Sequence, residues 1–427
     1  MELKELYQGQ QYKEICAFWD ARQQEPAAEP LGEWEYLYCM NGLYKEKRYA
    51  DCLTLYKEQR QAFPDSALLQ DKMGWCVYQL YLAKHDFKQG DNAKYFQQVE
   101  YVLKACNVSQ YSPVAAIVWH AVGGILANQL EYARADRYLE LLQPEALSTQ
   151  EKAFDTQGGR HVVAASDQER WFIEKTKVLW RLQRYEDCIA CCERGLGMVG
   201  RFHNHEDVWL RQRKVKCLLQ LGNLAAAEEE VNTLLQGDIC HWAVWQSAFE
   251  LAVRQGDAGQ ALKYLGSAAL ADPSHEMRVS FYAQAAQFFR AQGQEREAGL
   301  HRHLADLIRQ EKEWKAQKWD AGWQLAPEMA ALGKRETLRA LEPLWQTWRD
   351  KDKVFQQGTI KRILPPGKAG FIHDAVSGMD YYFAFRDVRR QDWKKAVEGA
   401  AVRFTLTERE NPKRQRREKN AVDITVG

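Results

Sequence analysis

The sequence predicts a multidomain, mainly α-helical chain, in which a solenoid of helical repeats is followed by a small five-stranded β-barrel. A phrase of aromatic and small residues recurs through residues 1–308. This pattern becomes weaker in residues 309–355, which are rich in tryptophan. Five short β-branched or aromatic runs bounded by Gly, Pro or Asp fill residues 356–427, and such runs are typical of strands. A chain of 427 residues is also longer than those that normally fold around one hydrophobic core.

The repeat is clearest in two near copies, Tyr49-Ala50-Asp51-Cys52 and Tyr185-Glu186-Asp187-Cys188. In each, a small residue follows an aromatic residue by three positions, which lets two helices cross closely. This sequence pattern resembles that of tetratricopeptide repeats (TPR), helix–turn–helix units of about 34 residues. One unit cannot bury its apolar face alone, so seven or eight units are expected to stack. The small position falls at Ile15, Cys52, Ala93, Ala135, Cys188, Ala227, Ala261 and Ala298.

The step from Ala135 to Cys188 is 53 residues, longer than the other steps. About fifteen extra residues are therefore expected around Thr149–Ser166, with a turn at Gly158-Gly159. A stacked solenoid also presents a groove, which is expected to hold an unidentified protein partner. Most tryptophans of this region are interpreted as core residues of first helices: Trp34, Trp75, Trp119, Trp180 and Trp245.

Residues 309–355 are predicted to form tryptophan-rich capping helices and a linker. Trp314, Trp319 and Trp323 precede a break at Pro327, and further tryptophans precede a charged run from Arg349. Such helices would close the apolar end of a solenoid. The alternative is an extended platform for RNA bases.

The five strands are predicted within residues 356–427. Their order and spacing resemble a cold-shock domain, a five-stranded barrel of the OB-fold type that binds single-stranded nucleic acid. The resemblance rests on the order of the strands along the chain more than on intact sequence motifs. The runs are Gly358–Lys361, Gly370–Ile372, Asp380–Phe385, Val402–Leu406 and Ala421–Val426.

The resemblance implies a stacking platform made of Phe371, Tyr382 and Phe385. Strand alternation places Phe385 on the opposite side from Tyr382, so a bulge or twist is needed for both to serve one surface. Basic residues are expected to contact phosphates and make binding salt-dependent. Those beside the platform are Lys361, Arg362 and Lys368, and those near the last loop are Lys413, Arg414, Arg416 and Arg417. The alternative for that loop is a disordered tether.

Departures from the family pattern predict weaker or more selective binding. Arg362 and Ile363 stand where the family has aromatic residues, and Ala369 and Ala384 also lack the usual rings. Charge favours binding, because residues 356–427 hold 15 Lys and Arg against 9 Asp and Glu. The remaining residues hold 44 against 49, so a basic module is attached to an acidic body.

No motif for catalysis or for a cofactor is found, including phosphate-binding loops, zinc-protease motifs and serine-hydrolase motifs. A zinc site is an alternative reading of Cys188, Cys191 and Cys192 with His203 and His205, but no second Cys-x-x-Cys pair completes it. The ten cysteines lack the spacing of a secreted disulfide framework, and no apolar run could span a membrane. With no signal pattern at the N-terminus, a cytoplasmic protein is expected.

Two functional hypotheses follow. The first is a non-enzymatic adaptor that binds single-stranded RNA or DNA through the barrel and a protein through the repeat groove. The second is a protein-interaction scaffold whose barrel has lost its ligand. An enzyme of unknown class is a distant third.

Overall fold

The structure is a computed structural model, and it describes residues 2–24, 29–109, 111–155, 159, 161–236, 241–271, 274–389, 392–411 and 416–427. Two compact units are present, residues 1–247 and residues 248–427. The first unit is almost entirely helical, and the second contains helices followed by a β-barrel. The division at residues 308 and 355 that the sequence suggests stays a prediction.

Helix–turn–helix pairs make up most of the chain, and eight of them follow one another in the described residues. This confirms the helical-repeat part of the predicted fold class. The pairs are α1 Leu3–Gln8 and α2 Tyr12–Arg22; α3 Glu33–Lys45 and α4 Tyr49–Gln59; α5 Ala67–Val77 and α6 Asn92–Ala105; α7 Val114–Asn128 and α8 Tyr132–Glu140; α9 Asp167–Arg181 and α10 Tyr185–Met198; α11 Asp207–Gln220 and α12 Leu224–Gln236; α13 Trp242–Gln255 and α14 Ala258–Leu270; and α15 Val279–Ala291 and α16 Glu295–Glu311.

The turns inside the pairs share one backbone conformation. In seven of the eight pairs the turn carries a residue with positive φ, which reverses the chain after the first helix. Glycine adopts this conformation without the steric cost that a side chain brings. The third pair differs, because its first helix continues into a π-helical turn, Tyr78–Leu82. The residues with positive φ are Gln10, Lys47, Gln129, Gln183, Gly222, Gly256 and Gly293.

The predicted small positions are buried where the helices of a pair cross. Cys52, Ala135, Cys188, Ala227, Ala261 and Ala298 are all fully buried. Ile15 is also fully buried, although it is large. Gly42 on α3 makes room for it, because a Cβ there would lie 2.6 Å from Cγ2 of Ile15. A small residue on α3, the first helix of the next pair, thus allows a close approach to α2.

The assignment of Ala93 to this set is wrong. Ala93 is exposed in the first turn of α6, whereas Tyr95 and Phe96 are buried there. The π-helical turn and the loop after it lengthen the third pair, so its register departs from that of the other pairs.

A small hairpin lies within the segment predicted to be an insertion. Its strands, β1 Lys152–Asp155 and β2 His161–Ala164, pair in antiparallel fashion. The sequence predicted extra residues at this point but did not predict that they form strands.

In the second unit, the tryptophan-rich segment contains one helical turn, α17 Pro327–Ala330, and one long helix, α18 Lys334–Asp350. α18 packs on α14 and α16. Trp345 is fully buried in this contact and stacks on Tyr282, with ring centroids 5.7 Å apart. Gly266 lets the helices approach, since a Cβ there would lie 2.3 Å from the Trp345 carbonyl oxygen. α18 therefore covers apolar faces of the preceding helices.

A closed barrel completes the second unit and confirms the remaining part of the predicted fold class. The strand order around it is β3-β4-β5-β7-β6, and β6 pairs back with β3. Among the described strand pairs, β5 and β7 pair in parallel and the others are antiparallel. Fully buried side chains from all five strands fill the interior, including those of Ile360, Ile372, Phe383, Phe404 and Ile424. The strands are β3 Gln356–Leu364, β4 Ala369–Asp374, β5 Asp380–Ala384, β6 Ala401–Asn411 and β7 Arg416–Val426.

Candidate nucleic-acid interface

Strand alternation decides which aromatic residues of the barrel face outward. On β5, Tyr381 and Phe383 point inward and are 8% and 0% exposed. Tyr382 lies between them, points outward and is 40% exposed. On β4, Ile372 is fully buried, and its neighbour Phe371 is only half-buried. Phe371 and Tyr382 therefore share the outer face of the barrel.

A β-bulge aligns a cation with these two rings. The β3–β4 register shifts between Ile360 and Arg362, so Lys361 is the extra residue and Arg362 lies opposite Phe371. Phe371 in turn lies opposite Tyr382, with ring centroids 5.9 Å apart and nearly perpendicular planes. Asn420 on β7 pairs with Tyr382. We call these four residues, Arg362, Phe371, Tyr382 and Asn420, the outer row.

Gly370 keeps β3 and β4 close beside this row. A Cβ at this position would lie 2.4 Å from the carbonyl oxygen of Arg362 and 2.6 Å from the ring of Phe383. Neither the backbone nor a fully buried ring can move away easily. Gly370 is thus required by close packing on the inner side of the strand that carries Phe371.

A charged cluster borders the outer row. Lys361 Nζ lies 2.5 Å from Oδ2 of Asp380, and Nδ1 of His373 lies 2.8 Å from Oδ1 of the same carboxylate. Hydrogen bonds from Lys361 and then from His373 lower the pKa of Asp380. Lys361 is therefore paired with a carboxylate. The sequence predicted neither Asp380 nor His373 as a partner, because these contacts depend on the β4–β5 register and, for Lys361, on the bulge in β3.

Phe385 does not join the outer row. It begins a 3₁₀ turn, Phe385–Asp387, directly after β5. Its ring lies 5.6 Å from that of Phe383 and packs half-buried against the barrel core. The structure therefore brings two of the three predicted stacking residues together and places the third on the inner side. Alternation along β5 is the physical reason.

The remaining predicted basic residues divide into paired and unpaired ones. Arg362, Lys368 and Arg417 are exposed and have no carboxylate partner in the part of the chain that the structure describes. Arg416 is paired with Glu418 at 2.8 Å. Lys413 and Arg414 lie outside the described residues.

Arg409 fixes the β6–β7 hairpin to the turn that follows β5. Its two terminal nitrogens lie 2.9 and 3.0 Å from the carboxylate oxygens of Asp387. Such a bidentate pair holds two segments in a defined orientation. Arg409 therefore has a structural partner at the edge of the barrel.

The three cysteines of the alternative zinc site lie between packed helices. Cys188, Cys191 and Cys192 are all buried, and Sγ of Cys188 donates to the Thr176 carbonyl oxygen at 3.4 Å. Within the described ranges, no three His, Cys, Asp or Glu side chains come together in a way that could hold a metal ion. In the same ranges, no helix has both the length and the apolar character needed to cross a membrane.

Comparison with known proteins gave structural similarities only. No protein-family model and no curated protein matches the chain. The APC/C hetero-tetramer Cut9–Hcn1 is 12% identical with a TM-score of 0.34, and the match covers 75% of this chain and 55% of that chain. YrrB, a TPR protein with an unusual peptide-binding site, is 14% identical with a TM-score of 0.26 over 62% of this chain and 98% of its own. The human IFIT1 dimer with PPP-AAAA is 12% identical with a TM-score of 0.34, covering 81% and 70%.

Proposed function

We propose that this protein is a non-enzymatic adaptor that binds single-stranded RNA or DNA through its barrel and a protein partner through its helical repeats. The strand order β3-β4-β5-β7-β6 and the basic charge of residues 356–427 support a barrel of the cold-shock type. The eight helix pairs support a protein-binding role. The free, buried thiols of the described cysteines suit a reducing compartment such as the cytoplasm.

The outer row carries the nucleic-acid half of this proposal. Phe371 and Tyr382 are accessible aromatic rings on adjacent strands, and rings so placed can stack on successive bases. Arg362 extends the row with a cation that has no carboxylate partner among the described residues, and Asn420 adds hydrogen-bonding groups at the other end. Proteins that bind single strands commonly combine aromatic side chains with cations in this way.

The same geometry indicates moderate affinity. Each stacked base contributes about 1–3 kcal/mol, and the outer row offers two rings. Phe385 contributes at most through an edge, since its ring packs against Phe383. Lys361 and Arg416 are already paired with carboxylates, so Arg362, Lys368 and Arg417 are the proposed phosphate contacts.

The test is a fluorescence-anisotropy titration of the full chain with labelled single-stranded oligouridine and oligothymidine. Phe371→Ala/Tyr382→Ala should weaken binding at least about tenfold, since two stacking contacts are lost. Tyr111→Ala removes a ring that is 71% exposed in the first unit and should leave binding unchanged. Absence of binding by the wild-type chain at low salt would remove the nucleic-acid half of the proposal.

A second candidate is a protein-interaction scaffold whose barrel binds no nucleic acid. The pairing of Lys361 with Asp380 and the inward position of Phe385 favour it, because each removes one predicted ligand contact. It predicts that the outer-row variants leave oligonucleotide binding unchanged while partner binding through the repeats persists.

A further inference from the structure

The first helices of successive pairs in unit 1 present an open face. On α9, Arg170, Glu174, Lys177 and Arg181 follow a spacing of four, three and four residues and remain accessible. On α11, Trp209, Arg213, Lys216 and Gln220 follow the same spacing. Residues at these intervals lie along one side of a helix.

Contacts between the helices place these rows side by side. Arg213 Nη1 on α11 donates to Oγ1 of Thr176 on α9 at 2.6 Å. The Arg170 guanidinium on α9 lies over the ring of Trp119 on α7, 4.5 Å from its centroid. The rows of α7, α9 and α11 therefore form one continuous surface, which we call the α7–α9–α11 face.

Positive charge is concentrated on this face although the unit as a whole is acidic. Residues 1–247 hold 28 Lys and Arg against 34 Asp and Glu. The rows of α9 and α11 nevertheless hold five cations and one carboxylate, Glu174. A positively charged face on a unit whose net charge is negative indicates an anionic partner.

Two of the cations are partly desolvated by the surrounding protein. Lys177 has an exposed side chain, but the surrounding protein lowers its pKa through burial, and Arg213 is affected in the same way. Lys177 has no carboxylate within ion-pair distance among the described residues, although the negative charges of Glu174 and Glu206 act on it. A partly desolvated cation without a direct partner gains from an incoming carboxylate, because desolvation strengthens the attraction.

The α7 part of this face is open. The corresponding row of α7 is formed by Ala116, His120, Gly123 and Ala127, so three of its four members carry little or no side chain. A Cβ added at Gly123 would meet no atom within 4 Å. An extended backbone can therefore approach α7 while its side chains reach α9 and α11.

The rings near this face are poorly placed for nucleobases. The Trp119 indole is 8% exposed and is covered by Arg170. The Trp209 ring packs against His241 and Trp242, with centroids 5.1 and 5.6 Å away. Base stacking requires a free ring face, whereas carboxylates require only cations. A peptide can also place uncharged residues against Glu174, which an evenly charged phosphate chain cannot do.

We propose that the α7–α9–α11 face binds an extended acidic segment of a protein, with Lys177, Arg181 and Arg213 contacting its carboxylates. This rests on the proposed role of the repeats in protein binding and specifies the chemistry of the partner.

The experiment uses the full chain and a fluorescein-labelled dodecapeptide of alternating Glu and Ala, at about 50 mM salt, where exposed charges are weakly screened. Lys177→Glu/Arg181→Glu should weaken peptide binding at least about tenfold. Lys94→Glu/Arg137→Glu is the matched control, because it makes the same change of charge at exposed residues of the second helices α6 and α8. The control should change binding less than about twofold. Equal thermal midpoints for both variants would show that each is folded.

Three results would overturn the inference: no binding of the peptide, equal loss in the two variants, or a matching loss of oligoadenosine binding in the Lys177→Glu/Arg181→Glu variant. The last would assign this face to nucleic acid. A photo-crosslinking residue at Gly123 separates this inference from the broader proposal. An adduct with an acidic segment supports both, whereas a specific adduct with a basic or neutral segment retains protein binding and overturns the acidic partner.

Discussion

The indole N–H of Trp345 donates a hydrogen bond of 2.9 Å to Nε2 of His301 inside the second unit. The other ring nitrogen of His301 donates to the Glu297 carbonyl oxygen at 2.7 Å. Both residues are fully buried, and burial lowers the pKa of His301 to about 4. The two hydrogen bonds define a neutral imidazole that joins α16 to α18.

Because the folded protein keeps this imidazole neutral, we expect the second unit to lose stability in acid. The pKa of His301 is about 4 when folded and 6.5 as the reference value, so the unfolded chain binds more protons between these pH values. Its contribution is complete above about pH 6.5 and falls as the pH drops toward 4, by up to about 3 kcal/mol. Urea unfolding followed by tryptophan fluorescence measures it. His301→Gln should lower stability near pH 7 but flatten the loss between pH 6.5 and 4. An equally steep loss in that variant would contradict the assignment.

Truncation of two neighbouring residues of β5 should destabilise the protein by very different amounts. Phe383→Ala opens a cavity in the barrel core and should cost about 3–5 kcal/mol of unfolding free energy. Tyr382→Ala changes an accessible ring and should cost less than about 1 kcal/mol. Differential scanning calorimetry of the full chain provides both values. Similar costs at the two positions would mean that the outward direction of Tyr382 is wrong.

The repeat contacts can be tested at one buried and one exposed alanine. Ala227→Leu forces a larger side chain into a closed helix crossing and should cost about 1–3 kcal/mol. Ala93→Leu adds the same atoms at an exposed site of α6 and should have little effect. Thermal unfolding followed by circular dichroism distinguishes them. A tolerated Ala227→Leu would show that the crossing is looser than described.

Gly370 should be irreplaceable in the barrel. Gly370→Ala brings a Cβ against the Arg362 carbonyl and the Phe383 ring, so it should separate β3 from β4 and cost more than about 2 kcal/mol. Gly322→Ala, where a Cβ meets no atom within 4 Å, is the control. The thermal stability measured by calorimetry and the affinity for oligonucleotides should both fall in Gly370→Ala and not in Gly322→Ala. A Gly370→Ala protein that melts like the control would refute the tight approach.

Local patterns predicted much of the architecture because they reflect interactions close in sequence. The spacing that marks Cys52 and Cys188 gave the helix pairs, since a close crossing restricts the size of one residue in each. The five β-branched runs gave the strands of the barrel, and all five lie within or against observed strands. The extra length before Cys188 was also predicted, but its hairpin was not, because its short strands gave no alternating apolar signal.

The candidate site depended on contacts between residues far apart in the chain. Composition and alternation identified Phe371 and Tyr382 as candidates. Only the folded register, with Lys361 displaced into a bulge, placed Arg362 beside Phe371 and gave Asp380 two partners. Phe385 shows the same limit, because the end of β5 turned its ring toward the core.

The sequence by itself thus determined the kinds of elements, their order and the basic character of the last 72 residues. Only tertiary structure decided which rings and charges meet, as in the outer row and on the α7–α9–α11 face. The physical reason is that periodicity constrains one segment at a time, whereas a surface is formed from several segments whose relative register is set by packing.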